Sequence, residues 1–310
     1  MGTRAQVALA AAVGCALMAA VTLISLALLG GGVRPPVPAA APQAGRPSLV
    51  RQVRATDPAP VPRRHRDPLA ASAASYVSTR TGTVLAAVYD IATGQTWRLG
   101  RGRPQAEASV VKLDVLETLL AERGEGHPGL SAADQALAQR MIEDSDNDAA
   151  TQLWNAAGGA AGIRGFNTAA GLAQTSPSSC VQCPRFPWPG WGLTTTTATD
   201  QLSLLRDLVE PNALLTREDR RYALSLMEHV TPSQRWGISG GVPRRATVAL
   251  KNGWLPLSST GTDWQINSIG RISGRGRDYL MAVLTSGNPT EQYGIDTIDG
   301  LAALVWKGMR

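Results

Sequence analysis

The sequence predicts an α+β fold, with one antiparallel sheet built from both chain ends, flanked by helices, and an all-helical insertion between the two halves. Three observations carry this. Strand patterns occur near residues 83–99 and again near 247–285. Helical patterns fill the interval from 110 to 229. All 15 aromatic residues fall at or after Tyr76, so one stretch of chain holds the core.

The elements follow in order. A helical run covers Leu69–Ser78. Thr83–Tyr89 and Thr96–Leu99 alternate as short strands, and Asp90-Ile91-Ala92-Thr93-Gly94 between them has turn chemistry, which makes a hairpin. Helices are expected at Val110–Arg123, at Ala132–Glu143 with Ser131 and Asp134 as an S-x-x-D cap, and at Asp148–Ala157. The Gly, Pro and Ser-rich stretch from Gly158 to Gly192 reads as loop. Asp200–Leu208 and Arg217–His229 read as helices, and Thr247–Lys251, Gln265–Ile272 and Tyr279–Thr285 as strands. A last helix is expected at Asp299–Met309.

Three segments are expected overall: a leader (1–30), a linker (31–68) and a folded domain (69–310). Val7–Leu29 is an uncharged apolar run of 23 residues, long enough to span a bilayer. An uncleaved anchor and a cleaved signal peptide both fit it, and either places the domain outside the cytoplasm. Cys15 reads as a passive member of the run. Residues 31–68 hold nine prolines and no aromatic residue, the composition of an extended linker. The formal charge of +6 sits entirely in residues 1–68, with eight arginines against Asp57 and Asp67. The folded part is neutral, which argues against a nucleic-acid partner. A monomer without cofactor or metal is expected.

Of 30 cationic residues only three are lysine, namely Lys112, Lys251 and Lys307. Where a chain uses arginine for ordinary charge, a retained lysine points to chemistry that needs a proton to be lost. Ser109-Val110-Val111-Lys112 opens an apolar helix, and positions i and i+3 share a face. A lysine drawn into such a helix start is pushed toward its neutral form, and a neutral amine activates a serine hydroxyl. Taken alone, S-x-x-K more often marks a capping serine beside a snorkelling lysine. Ser145-Asp146-Asn147 separates two helical patterns, where a capping turn is the ordinary reading. Lys251-Asn252-Gly253-Trp254 ends a strand, and its glycine would let a ligand approach the backbone closely.

In this order the three motifs resemble the signature of the serine β-lactamase and penicillin-binding protein superfamily, S-x-x-K, S-D-N and K-[ST]-G. Thr194-Thr195-Thr196-Thr197 before a helix, the strand Gly276–Leu284, and Gly294–Thr297 leading to Val305-Trp306 extend the likeness toward class A β-lactamases. The resemblance implies that Ser109 is acylated and that Lys112 accepts its proton. It implies that Ser145 relays a proton with Lys251 and that Asn147 binds the substrate amide. Asn252 and Gly253 would line the substrate site, with the N–H groups of Ser109 and Trp254 as the oxyanion hole.

The chain departs from that pattern in two places. Asn252 stands where the family has Ser or Thr, and the next strand lacks the carboxylate-binding arginine at its usual place, with Arg271 slightly later. No Asp or Glu lies between Asp148 and Asp200, so the glutamate that drives deacylation in class A enzymes is missing. Gln182 lies near its expected position, but an amide is no general base. Cys180 and Cys183 fall in the same segment and are expected to form a local disulfide in an exported domain. Gly237–Gly241 fits G-x-S-x-G, but Pro243-Arg244-Arg245 follows where a nucleophile elbow needs a helix.

Three functions remain. One is a serine hydrolase acting on β-lactams or related amides, with slow deacylation. The second is a D-alanyl-D-alanine peptidase acting on peptidoglycan peptide. The third is a non-catalytic domain that senses cell-wall fragments or antibiotics. The intact set Ser109, Lys112, Ser145 and Lys251 argues against the third, the missing acid argues against an efficient β-lactamase, and the overall similarity to class A β-lactamases favours the first.

Overall fold

A computed structural model describes residues 65–122, 130–184 and 188–309. The expected leader, the apolar run 7–29 with Cys15, and most of the linker lie outside these residues. Among the described residues no helix is long and apolar enough to cross a membrane.

The chain runs through α1 (Ser72–Ser78), β1 (Thr83–Asp90), β2 (Thr96–Leu99) and the two-residue strand β3 (Gln105–Ala106). A 3-10 turn, Ala108–Val110, leads into α2 (Val111–Ala121), and α3 (Ala132–Gln139), α4 (Asn147–Ala156) and α5 (Gly159–Ala169) follow. Next come β4 (Thr195–Thr196), α6 (Ala198–Val209) and α7 (Arg217–Glu228). The chain closes with β5 (Thr247–Pro256), β6 (Trp264–Gly274), β7 (Arg277–Asn288) and α8 (Glu291–Gly308).

The five-stranded sheet has the order β2-β1-β7-β6-β5, and every pairing is antiparallel. Strands from both chain ends therefore make one sheet, and β3 pairs with β4 as a small second one. Side chains of a strand alternate between faces. Leu85, Ala87 and Tyr89 of β1, with Leu280, Ala282 and Leu284 of β7, join a core shared with α2, α4, α5 and α6. Val84, Ala86 and Val88, with Tyr279, Met281 and Val283, join a second core under α1 and α8. Each fully buried leucine, valine or methionine among these contributes about 1.5–3 kcal/mol. Because both faces are covered, β7 reads as one continuous apolar run rather than as an alternation.

The boundaries differ from the sequence reading where packing overrides local composition. The three late strands extend further at one or both ends, and α8 begins at Glu291 rather than Asp299, capped by Thr290. The stretch read as loop after Gly158 holds α5. Its glycines disfavour a helix, yet Ile163 and Phe166 are buried in the first core. A Cβ on Gly162 would meet the Ala157 carbonyl oxygen at 1.7 Å, so close packing requires glycine there. The helix begun by α3 ends in a π-turn, Arg140–Asp144, and Ser145 follows with φ 58°.

Candidate active site

The turn that carries Ser109 is held from three sides. Glu107 N–H donates to the Thr194 carbonyl at 2.7 Å. The Asn267 side-chain amide, buried on β6, donates to the Ala106 and Glu107 carbonyls at 2.8 Å each. Gln265, two residues earlier on the same strand face, donates to Asn267 Oδ1 at 2.8 Å and to Gln105 Oε1 at 2.9 Å. From β5, Gly253 presses on the turn. A Cβ there would lie 2.7 Å from Ser109 N, 2.8 Å from Glu107 O and 2.9 Å from Val110 N. Ala108, just before the serine, has φ 50°. A non-glycine residue in that left-handed region costs on the order of 1–3 kcal/mol, and such strain clusters at functional sites.

The structure gathers the two motif lysines around the second motif. Lys112 is fully buried, and its Nζ donates to Ser145 O at 2.5 Å, Ser145 Oγ at 3.0 Å and Asn147 Oδ1 at 2.7 Å. Lys251 is equally buried, and its Nζ donates to the same Ser145 Oγ at 2.9 Å and to Asn252 O at 2.9 Å. Ser145 Oγ thus sits between two amines. The left-handed backbone at Ser145 makes this turn possible. Asp146 then caps α4 by accepting from Ala149 N.

Burial governs the electrostatics. Desolvation holds Lys112 well below the ordinary lysine value, and the nearby charge of Lys251 pushes the same way against Asp146. Desolvation alone brings Lys251 down to about 7. On losing its proton, Lys112 gives up one of its three donations and gains a lone pair able to receive a proton, which an arginine at this position would lack.

Ser109, Asn147 and Trp254 line one cleft with Trp188, Trp191 and Leu255, with a cavity volume of about 70 Å³. The tryptophans of the 188–191 segment are fastened to α4. Trp188 Nε1 donates to Asp148 Oδ1 at 3.3 Å, and Trp191 Nε1 donates to Thr151 Oγ1 at 3.2 Å. Cys180 and Cys183 are joined as a disulfide with Cα atoms 5.7 Å apart. Gln182 between them is exposed, and the described part of this segment carries no carboxylate.

Asn252 departs from its expected role. Its Nδ2 donates both hydrogens inward, to Gln234 O at 2.7 Å and Trp236 O at 3.1 Å, so it presents no donor to a substrate carboxylate. Arg271 is also committed, through a bidentate pair with Asp278 at 2.8 and 2.7 Å. Gly237–Gly241 lies in a loop between a 3-10 turn and β5, and Ser239 Oγ donates to Arg235 O, which rules out a nucleophile elbow. His229 ends α7, with Nδ1 2.6 Å from Ser225 O. Among the described residues no cluster of His, Cys, Asp and Glu is placed to hold a metal.

Sequence reading missed Asn267, Gln265 and the two cleft tryptophans. The signal for the first two was present, as two amides at i and i+2 share one face of an otherwise apolar strand.

This fold, with S-x-x-K on a helix start, S-D-N across from it and K-x-G on the adjacent strand, defines the serine β-lactamase and penicillin-binding protein superfamily. The beta-lactamase enzyme family (Beta-lactamase2) matches residues 124–309, more than half of the chain, and the chain belongs to it. The matched stretch holds Ser145, Asn147 and Lys251 and begins after Ser109 and Lys112. A protein named "Putative lipoprotein LppW" from Mycobacterium tuberculosis, and its counterpart in Mycobacterium bovis, are 31% identical over 264 residues, 83% of this chain and 74% of theirs. Among solved structures, a class A β-lactamase from Bacteroides cellulosilyticus aligns with a TM-score of 0.67 at 16% identity, covering 78% of this chain and 98% of its own. The structure of PBP-A aligns with a TM-score of 0.61 at 19% identity, covering 75% of this chain and 92% of its own.

Proposed function

We propose that this chain is a serine acyl-transfer enzyme that opens β-lactams or related amides on Ser109 and releases the acyl group slowly. The observation that carries the reading is the buried relay Lys112, Ser145 Oγ and Lys251, within 3.0 Å at each step. Neutral Lys112 takes the Ser109 proton as Oγ attacks the carbonyl carbon. The N–H groups of Ser109 and Trp254 receive the developing oxyanion, a contribution worth roughly 10²–10³ in rate per donor in serine hydrolases. As the C–N bond breaks, Ser145 gives its hydroxyl proton to the leaving nitrogen and takes up the one held by Lys112, which returns both to their starting state, while Lys251 holds Ser145 Oγ in place by donating to it. Asn147, at the cleft wall, holds the substrate amide.

Deacylation needs a base beside the ester. The segment 176–184 and the residues 188–194 offer tryptophan, proline, serine and threonine there and no carboxylate. The acyl-enzyme therefore persists. The lipoprotein name of the mycobacterial relatives supports an extracytoplasmic place at the membrane. Incubation with benzylpenicillin, followed by intact-protein mass over time, tests the reading. A lasting adduct that Ser109→Ala abolishes is expected. Rapid turnover overturns the slow step, and a protein that takes up no acyl group from any serine-directed reagent overturns the whole reading.

A further inference from the structure

We propose that this site selects acyl substrates without a carboxylate beside the scissile bond, namely neutral esters or amides with an apolar or aromatic flank. The proposal rests on the acyl-transfer reading above and names the substrate class of that same site.

The first support is the lining of the cleft, which carries no charged side chain among the described residues. Its walls are Trp188, Pro189 and Trp191 on one side and Trp254 and Leu255 on the other. Trp254 is further braced by Trp236, with ring centroids 6.0 Å apart in an edge-on arrangement. The faces of such rings bury large apolar area and repel an anion, and the Nε1–H donors of Trp188 and Trp191 are already given to Asp148 and Thr151.

The second support is that the patch of sheet beside Lys251 is sealed. The segment Gln234–Ile238 lies down on β5 and β6 and is tied there by three hydrogen bonds. Asn252 Nδ2 donates to Gln234 O and Trp236 O, and Ile238 N donates to Ser268 Oγ at 2.9 Å. Ser268 pairs with Asn252 across the two strands. Gly237 lies so close that a Cβ would meet Ser268 Oγ at 2.3 Å and Asn252 Oδ1 at 3.3 Å. No side chain from this segment fits between it and the sheet at that point, and a substrate carboxylate fits no better.

The third support is the cation inventory. Arg271 is spent on Asp278, and the exposed Arg235 turns its guanidinium to the Glu228 carbonyl. Among the described residues beside the cleft, Lys251 is bonded to Ser145 Oγ and Asn252 O, Lys112 has its Nζ 5.0 Å from the Trp191 ring centre and is bonded to Ser145 and Asn147, and burial weakens the hold of both on a proton. A carboxylate placed in this cleft would lose its water without gaining a full charge partner, which is costly.

The test compares benzylpenicillin with its methyl ester on the purified protein. Both carry the same lactam, so Ser109 Oγ would form the same ester bond as the ring C–N bond breaks and the ring nitrogen takes the proton. Acylation is followed by intact mass, and each rate is divided by that compound's hydrolysis by hydroxide. An alkyl fluorophosphonate, which needs neither lactam nor carboxylate, reports whether Ser109 is nucleophilic at all. We expect the ester to acylate about tenfold faster than the acid, the discrimination typical of one mismatched group in an apolar pocket. A normalised advantage below about threefold, or faster reaction of the acid, overturns the proposal, since burying an unpaired carboxylate should cost more. Uptake of fluorophosphonate with no reaction of either lactam overturns it while leaving the nucleophile in place. No reaction with any of the three overturns both this proposal and the acyl-transfer reading.

Discussion

Two groups of buried ionisable side chains flank the same helix, and they are treated in opposite ways. At the start of α2, Lys112 meets Lys251 through Ser145, and both amines have their hydrogen bonds filled. On the other side, Glu107, two residues before Ser109, and Asp114 and Glu117 of α2 are fully buried with no well-formed hydrogen bond to their oxygens among the described residues. The amides of Gln201 and Asn167 lie beside Glu107 and Asp114. Desolvation raises all three carboxyls, and the neighbouring acids raise Glu107 and Glu117 further. Burial, reinforced by like-charged neighbours, thus drives both groups toward neutrality. Only where acceptors and a shared hydroxyl surround the amines does neutrality become a usable proton path.

The two groups also depend on pH with opposite sign. Lys251, lowered to about 7, binds fewer protons folded than unfolded, so its contribution grows as pH rises from about 7 toward the ordinary lysine value. Asp114, raised to about 7, keeps a proton in the fold that it loses when unfolded. Its contribution is present at acid pH and is lost as pH climbs from the ordinary carboxylate range to about 7.

The largest expected effect lies on the amine side. Lys112→Ala and Lys112→Arg should each slow acylation by about 10³, within the range for loss of a general base, with unchanged circular dichroism. If the arginine variant kept its rate, deprotonation of this residue would not be the reason for its burial. Next, Gly253→Ala forces β5 off the nucleophile turn and should slow acylation by about 10², as loss of one oxyanion donor does. Stopped-flow acylation measures it, and a rate within threefold of wild type would mean that the strand yields at no cost. On the acid side, Asp114→Asn should leave acylation nearly unchanged. It should stabilise the protein by about 2 kcal/mol at pH 8 and by nothing at pH 4, because the amide mimics the neutral acid. Urea unfolding at the two pH values checks this, and a destabilised variant at pH 8 would assign the carboxylate a partner. The smallest effect is at the disulfide. Replacing both Cys180 and Cys183 with serine should cost about 1 kcal/mol in thermal unfolding, since the loop it closes is short.

The motifs were legible because each is local. Ser109 and Lys112 are three residues apart on one helix, and the amine-bearing positions stand out in a chain that otherwise uses arginine. The meeting of Lys112 with Ser145 and Lys251 was legible only through resemblance, since no local pattern brings residues 112, 145 and 251 together. The role of Asn252 was misjudged because its partners, Gln234 O and Trp236 O, are backbone atoms of a loop with no periodicity. Helix α5 was hidden by glycines whose value lies in how closely they let chains pack. The buried acids were invisible for a different reason. Charged residues on an apolar helix read as its solvated face, and only the fold puts α6 and Asn167 over them.

The strand order carries a cost in time. Leu85 of β1 pairs with Leu284 of β7, roughly 200 residues later in the chain, and contacts of such long span slow folding. The hairpin of β1 and β2 emerges early in synthesis but has no sheet to join until β7 has followed. Until then the row of unpaired N–H and C=O groups along β1 stays open. The helical middle can collapse in the meantime, yet the nucleophile turn waits for β5 and β6. A chain cut short before β7 would therefore be inactive and also prone to stick to its neighbours.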